Sequence, residues 1–190
     1  MRRVPAVLLF ASAVTLGACQ QKSTNEATAN DQMAAEQNLA TEDTTNGMTS
    51  AGATAIDTAF LTDAMKGDNG EVAIGNLAAE KASSSAAKDF GRLLATDHGS
   101  HKQKLAALAS SAGLPTTDES TDEAKANLDK LKGLSGAAFD KEFAKMMVED
   151  HQKDIAKYEK QASSGDPQTA ALAKETLPVL RKHLKTAQGL

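Results

Sequence analysis

The sequence has little cysteine, little aromatic character and no excess of positive charge, and each shortage narrows what the chain can do. Its one cysteine, Cys19, excludes an intrachain disulfide and a metal site built from several thiolates. It has no tryptophan, one tyrosine and an aromatic content of 3%, which is typical of an alanine-rich helical bundle rather than a β-sandwich. The formal net charge of -4 provides no basic face for nucleic acid.

The chain also lacks the signatures of common enzymes. It contains no phosphate-binding loop, no nucleotide motif and no nucleophile with an ordered base, which disfavours an enzyme. Histidine is scarce as well, and two of the four histidines stand together in "LLATDHGSHKQKL", residues 93–105. Polar groups on the buried face of a helix are costly unless they are paired. This segment is therefore the first candidate for a functional site.

The first 18 residues resemble a bacterial lipoprotein signal. Arg2 and Arg3 precede the apolar run "VPAVLLFASAVTL", which is too short to span a bilayer comfortably, and "LGAC" then ends at Cys19. We predict cleavage before Cys19 and lipid attachment to its thiol, which would anchor the chain to a membrane. Gln20 after the cysteine resembles the signal for delivery to the outer membrane of Gram-negative bacteria, with the following domain in the periplasm.

A tether is predicted between this anchor and the folded domain. Residues 19–53 are rich in Thr, Asn, Gln and Ala, and they contain one Leu but no Val, Ile or aromatic residue. Such a segment buries too little apolar area to offset the entropy lost on ordering. We therefore expect a lipidated, flexible tether over 19–53 and a folded domain over 54–190.

The predicted domain consists of helices joined mostly by short turns. Gly113 ends the second helix, Gly165 ends the fourth, and Asp166 caps the last helix with Pro167 at its first position. Four long helices and one short helix in the central crossover predict an all-α fold, namely an antiparallel, ferritin-like four-helix bundle. The predicted helices span residues 55–82, 84–112, 121–132, 136–163 and 167–188.

An internal repeat supports this arrangement. "FGRLLATDHGSHKQKL" from Phe90 aligns without gaps with "FAKMMVEDHQKDIAKY" from Phe143. The alignment pairs Asp97-His98 with Asp150-His151, and both copies run on to a stop signal of Ser-Ser followed by Gly. Two amphipathic helices can resemble each other by chance, but an Asp-His pair at the same place in both favours a repeat.

Helical-wheel positions bring several polar side chains onto or beside the apolar faces. Asp150 and Asp154 fall within the apolar stripe of their helix, whereas His151 falls at its edge and His183 at the border of the last stripe. A rise of about 1.5 Å per residue puts most of these side chains near the middle of the helices. The predicted polar cluster comprises Glu71, Asp97, His98, His101, Asp150, His151 and His183.

Together, "GEVAIGNLAAEKASSSAAKDFGRLLATDH", "LSGAAFDKEFAKMMVEDHQKDI" and "LPVLRKHLKTAQ" make the chain resemble the bacterial domain-of-unknown-function family 4142. The shared motifs are Glu71, the two Asp-His pairs, Phe139-Asp140 and Leu177-Pro178 with His183. The resemblance covers residues 55–188 and implies an exported or lipid-anchored, ferritin-like bundle with no established activity. Members of that family more often have a small residue at the position of His101.

Two functions follow from the cluster, and the sequence leaves both open. The favoured one is a structural, stress-related interaction module, in which Asp and His pair across helices and fix the register of the bundle. The alternative is a metal-binding or redox-protective protein that holds Fe, Zn, Cu or Mn. Ferritin-like di-iron sites use Glu-x-x-His, which this chain lacks; it offers His98-x-x-His101 and His151-x-x-Asp154 instead.

Overall fold

The computed structural model describes residues 55–190, and this part of the chain is all-α. It contains five helices and no strand, and every helix begins and ends within three residues of the predicted bounds. The predicted signal peptide, Cys19 and the whole of the predicted tether lie outside the described residues. None of the helices in this part is both long enough and apolar enough to cross a membrane. The helices are α1 (Thr58–Lys81), α2 (Ser85–Ser111), α3 (Asp122–Lys132), α4 (Gly136–Ala162) and α5 (Pro167–Ala187).

Capping side chains fix where the long helices begin. The Asp57 carboxylate accepts a hydrogen bond from the backbone N–H of Phe60 at 2.9 Å, and this satisfies one of the free donors at the start of α1. The Asp166 carboxylate accepts from the N–H of Gln168 at 3.0 Å, and Pro167 occupies the first turn of α5. The predicted cap of the last helix is therefore confirmed.

Two glycines allow α1 and α2 to pack unusually closely. The helices run antiparallel, and a Cβ on Gly75 would lie 2.6 Å from the backbone oxygen of Gly91, while a Cβ on Gly91 would lie 2.6 Å from that of Gly75. No side chain fits at that distance, so only glycine permits the approach. The close contact also brings the preceding two turns of α1 against α2. There the Asp68 carboxylate accepts hydrogen bonds from His98 and His101.

The core consists of two apolar clusters with polar residues between them. The first apolar cluster includes Ile74, Phe90, Phe143 and Met147. The second apolar cluster includes Phe60, Leu61, Leu105, Tyr158 and Leu180. On each of α1, α2 and α4, the buried side chains between these two sets are polar, and on α5 a buried histidine lies between Leu180 and Ala187. This polar layer comprises Asp68, Glu71, His98, His101, His151 and His183.

Candidate metal centre

Asp68 joins two imidazoles in the polar layer. Its two carboxylate oxygens accept hydrogen bonds from Nδ1 of His98 at 2.9 Å and from Nδ1 of His101 at 2.8 Å. Burial raises the pKa of Asp68, but the two imidazole hydrogen bonds outweigh it and hold the pKa below its usual value. Sequence reasoning missed this residue. Its position three residues before Glu71, on the same helix face, is the signal that would have found it.

His98 is fixed by one ring nitrogen and leaves the other without a partner. Its Nδ1–H donates to Asp68, whereas its Nε2 is buried and has no hydrogen-bond partner among residues 55–190. Burial lowers the pKa of His98, but the Asp68 hydrogen bond and the nearby charges of Glu71 and Asp68 raise it to about 9. The ring orientation is therefore set, and Nε2 faces the interior.

His151 lies at the centre of the layer and is fully buried. Its Nδ1 lies 2.9 Å from the backbone carbonyl of Met147, one turn earlier in α4. Since a carbonyl only accepts, Nδ1 carries the hydrogen, and a neutral ring has its lone pair on Nε2. Burial, reinforced by His98 and His183, lowers the pKa of His151 to about 3, so the ring is neutral.

His183 presents its ring to His151 from α5. Its Nε2 donates to Oδ2 of Asp97 at 2.9 Å, and its Nδ1 lies 3.2 Å from Nε2 of His151. Burial lowers the pKa of His183 and outweighs the Asp97 hydrogen bond, which raises it. The sequence placed His183 at the border of its helix face, but the structure shows it fully buried.

Three of the histidines form a group that fits a metal ion. Each of His98, His151 and His183 offers one ring nitrogen, and these nitrogens lie within 4.8 Å of one another. The second nitrogen of each ring is held by Asp68, the Met147 carbonyl or Asp97. Histidines that ligate metals characteristically donate their other N–H in this way. We refer to His98, His151 and His183 as the imidazole triad.

Glu71 lies in the polar layer beside the triad. Its side chain is buried, its Oε2 has no hydrogen-bond partner among residues 55–190, and its Oε1 lies 3.9 Å from Nδ1 of His151. Burial raises the pKa of Glu71 to about 8; the charge of His98 lowers it, while those of Asp154 and Asp150 raise it further. The carboxyl group is therefore beside the triad but outside the set of converging nitrogens.

Two further predicted residues stand apart from the triad. His101 donates to Asp68, its Nε2 is buried without a partner within the described chain, and its ring packs 5.7 Å from that of Tyr158. Asp150 lies in a cavity beside α3, where burial raises its pKa to about 6. The structure thus brings His98, His151 and His183 together, with Asp97 behind His183 and Glu71 alongside.

The predicted orientation of α4 was wrong by part of a turn. Asp150 and Asp154 were placed within the apolar stripe and His151 at its edge, but His151 is 0% exposed while the aspartate side chains are 19% and 25% exposed. Asp150 is on the side of α4 that faces the short helix α3, whereas His151 is on the side that faces His183 of α5. Asn127 of α3 donates to Asp150 at 3.5 Å.

A family model matches most of the chain. A family model described as "Domain of unknown function (DUF4142)" matches residues 42–190. The chain belongs to this family. None of the curated proteins compared with it matches.

A solved structure shares the fold of the DUF4142 chain. It is the crystal structure of a DUF305 fragment from Deinococcus radiodurans, with a TM-score of 0.62 and 14% sequence identity. The match covers 69% of this chain and 91% of the fragment. At this level of identity the similarity concerns the fold alone.

Proposed function

We propose that this DUF4142 protein is a metal-binding protein of the cell envelope and that the imidazole triad holds the ion. The observation that carries the proposal is the contact between His151 and His183. Hydrogen bonds to Met147 and Asp97 place the ring hydrogens on the far nitrogens, so two lone pairs face each other at 3.2 Å. The pKa of each ring is lowered, which disfavours a proton between them. A metal cation satisfies both lone pairs at once.

The spacing of the triad suits a metal with imidazole ligands. Metal–nitrogen distances of about 2.0–2.1 Å in tetrahedral geometry put the ligand nitrogens about 3.3 Å apart. The His151–His183 pair already has this separation at 3.2 Å, and the His98 nitrogen lies within 4.8 Å of both. A modest inward movement of the His98 ring therefore completes a three-nitrogen site. One coordination position would stay open for water or another small ligand.

The surroundings also compensate the charge of an ion. Asp68 and Asp97 each accept a hydrogen bond from a triad imidazole, and Glu71 adds a third carboxyl group nearby. Such carboxylates orient the rings and make them stronger ligands. Three imidazoles without a thiolate suit Zn²⁺, Cu²⁺, Ni²⁺ or Fe²⁺, whereas Mn²⁺ prefers oxygen ligands. The metal proposal is accordingly narrower than the sequence-based set of Fe, Zn, Cu or Mn.

The test compares thermal unfolding of the wild type and histidine variants, with a chelator and with Zn²⁺, Cu²⁺, Ni²⁺ or Fe²⁺. Binding at a free concentration of 100 times Kd adds about 2.7 kcal/mol, which raises the Tm of a domain of this size by roughly 5–10 °C. His98→Gln, His151→Gln and His183→Gln should each abolish the rise. His101→Gln should retain it, because His101 is also buried but lies outside the triad.

The structural-module hypothesis predicts a different result from the same measurement. There the layer serves only to fix helix packing, and its support is the pair of Asp68 hydrogen bonds between α1 and α2. In that case no metal moves the Tm of the wild type, while His151→Gln still destabilises the protein. That combination would refute metal binding by the triad for these ions.

For the fold, we propose that α1, α2, α4 and α5 form an antiparallel, ferritin-like four-helix bundle with α3 in the crossover. Close packing of α1 on α2 supports one helical hairpin, and the His151–His183 contact supports another between α4 and α5. We also propose that the domain boundary lies near residue 54. A chain beginning at residue 54 should keep its helical circular dichroism spectrum, and loss of that spectrum would contradict the boundary.

For the location, we propose a lipid anchor at Cys19, with the helical domain in the periplasm and tethered to the outer membrane. The support is the "LGAC" sequence that ends at Cys19, followed by Gln20. Cys19→Ser should abolish incorporation of labelled fatty acid and release the chain from the membrane fraction. A variant that still carries acyl chains would contradict the anchor.

A further inference from the structure

A second group of charged residues surrounds a cavity that Glu71 also lines. The cavity has a volume of about 200 Å³ and lies between α1, α3 and α4. Its wall contains Gly67, Ile74, Thr121 and Ala124 in addition to the charged residues. We call it the acidic cavity, after its four carboxyl groups. Its charged lining residues are Glu71, Glu123, Asp150, Asp154, Lys153 and Lys157.

Glu71 forms the inner wall of the acidic cavity. Its residue exposure is 5%, and its Oε2 has no hydrogen-bond partner within residues 55–190. A buried carboxyl oxygen left without a partner is costly, and native structures normally satisfy such atoms with protein, water or an ion. The Glu71 carboxyl group therefore stands in the cavity wall with ligand capacity that no described residue uses.

The two lysines lie towards the outside and leave the carboxyl groups only partly compensated. Lys153 contacts Glu123 directly, and its Nζ is 4.0 Å from Asp150. Lys157 lies 3.3 Å from Asp63 outside the cavity and 3.9 Å from Asp154. Both lysine side chains are substantially exposed. Neither ammonium group makes an ion pair with Glu71 in the described chain.

We propose that the acidic cavity binds a hydrated divalent cation of the oxygen-preferring class, such as Mn²⁺, Mg²⁺ or Ca²⁺, through Glu71, Asp150 and Asp154. Carboxylate oxygens and waters are the usual ligands of these ions, and Mg²⁺ in particular keeps several of its waters. A volume of about 200 Å³ accommodates an ion with several waters at about 30 Å³ each. This site differs from the imidazole triad in donor chemistry and does not depend on metal binding there.

The experiment measures Mn²⁺ binding to the purified full chain by the electron paramagnetic resonance signal of the free ion. The wild type should bind one Mn²⁺ in the acidic cavity. The double variant Asp150→Asn/Asp154→Asn should weaken this binding at least tenfold, and Glu71→Gln should also weaken it. Lys153→Gln should tighten it severalfold, because a competing positive charge is removed.

Matched controls separate this site from other acidic groups. Glu149→Gln changes an exposed acid on α4 outside the cavity lining, so it should leave Mn²⁺ affinity unchanged. His98→Gln removes a triad ligand but no residue of the cavity lining, so the variant should still bind Mn²⁺. If the double variant fails to fold by circular dichroism, the exposed Glu123→Gln variant provides the test, with an expected loss of two- to threefold.

Three results would overturn the proposal. The first is a wild type that binds no Mn²⁺ at millimolar concentration, which would mean that water alone fills the cavity. The second is a folded double variant that binds as well as the wild type. The third is loss of Mn²⁺ binding in His98→Gln, which would place the ion in the imidazole triad. Failure of Zn²⁺ or Cu²⁺ to stabilise the protein would count against the triad alone.

Discussion

The imidazole triad and the acidic cavity both border Glu71, yet they are built differently. The triad uses imidazole rings whose second nitrogens are already held by hydrogen bonds to α1, α2 and α4. The acidic cavity uses carboxylates on the flank of α4, with lysines near its mouth and solvent within reach. The triad is therefore preorganised and buried, whereas the cavity is partly open to solvent, and the two sites should respond differently to mutation.

The largest expected effect is at Asp68, behind the triad. Asp68→Ala removes both hydrogen bonds from His98 and His101 and leaves a buried, protonated His98 without its counter-charge. Breaking a buried pair in this way costs about 3–5 kcal/mol of unfolding free energy. Urea unfolding at pH 7 with a chelator measures the loss.

The control for Asp68 is another aspartate on the same helix. Asp63 pairs with Lys157 at the surface, and its side chain is 62% exposed. Asp63→Ala should change the unfolding free energy by less than about 1 kcal/mol. Equal losses of unfolding free energy in Asp63→Ala and Asp68→Ala would show that the buried hydrogen bonds of Asp68 stabilise the fold no more than a surface ion pair does.

The next largest effect concerns Glu71 and depends on pH. Its pKa is raised from 4.5 to about 8 in the folded protein. The folded state therefore holds a proton that the unfolded state releases above pH 4.5, and the resulting stability is present below pH 4.5 and lost as pH rises towards 8. Glu71→Gln mimics the protonated form. It should be near neutral at pH 4.5 and stabilise the metal-free protein by about 4 kcal/mol at pH 8.

Chemical unfolding of wild type and Glu71→Gln at pH 4.5, 6 and 8, with a chelator, measures this pH dependence. Glu80→Gln on the exposed face of α1 is the matched control, and it should differ from the wild type by less than about 0.5 kcal/mol. A Glu71→Gln difference that stays constant with pH would show that the group is not protonated in the folded protein.

The smallest expected effect compares two glycines of the packed helices. Gly91 touches the backbone of α1, so Gly91→Ala should force α1 and α2 apart and cost about 1–3 kcal/mol. Gly67 lines the acidic cavity, and a Cβ there would meet nothing within 4 Å. Gly67→Ala should therefore stabilise α1 by about 0.5–1 kcal/mol. Thermal unfolding of both variants measures the difference, and destabilisation by Gly67→Ala would contradict an open cavity wall.

Secondary structure and the level of the polar layer were accessible from the sequence, because both depend on signals within one helix. Apolar periodicity, Gly113 and the Asp166-Pro167 cap gave helix bounds that agree within three residues. The rise per residue correctly put His98 and His151 at one level with Glu71. Each of these inferences needs only the local geometry of an α-helix.

Which histidines form the triad depends on how each helix is rotated about its axis relative to its neighbours. A helical wheel of a single helix does not contain that information. The sequence analysis placed His151 and His183 at the borders of the apolar stripes because each stripe was defined from the apolar residues of one helix alone. In the structure, Asp150 faces α3 at the flank of the bundle, whereas His151 faces α5 and is fully buried. Asp68 was missed for a related reason: its partners are on α2, and the close contact at Gly75 and Gly91 brings them within reach.

The position of the polar layer between the two apolar clusters also bears on how the chain avoids misfolding. A helix that slipped along its neighbours by one turn, about 5.4 Å, would still offer apolar side chains to apolar partners over much of its length. The same slip would move His151 or Asp68 into an apolar cluster and break hydrogen bonds on at least two helices. Alanine-rich helices pack with similar energies in several registers. Here the buried imidazoles and carboxylates favour one register, because a shift of a helix by one turn breaks their hydrogen bonds.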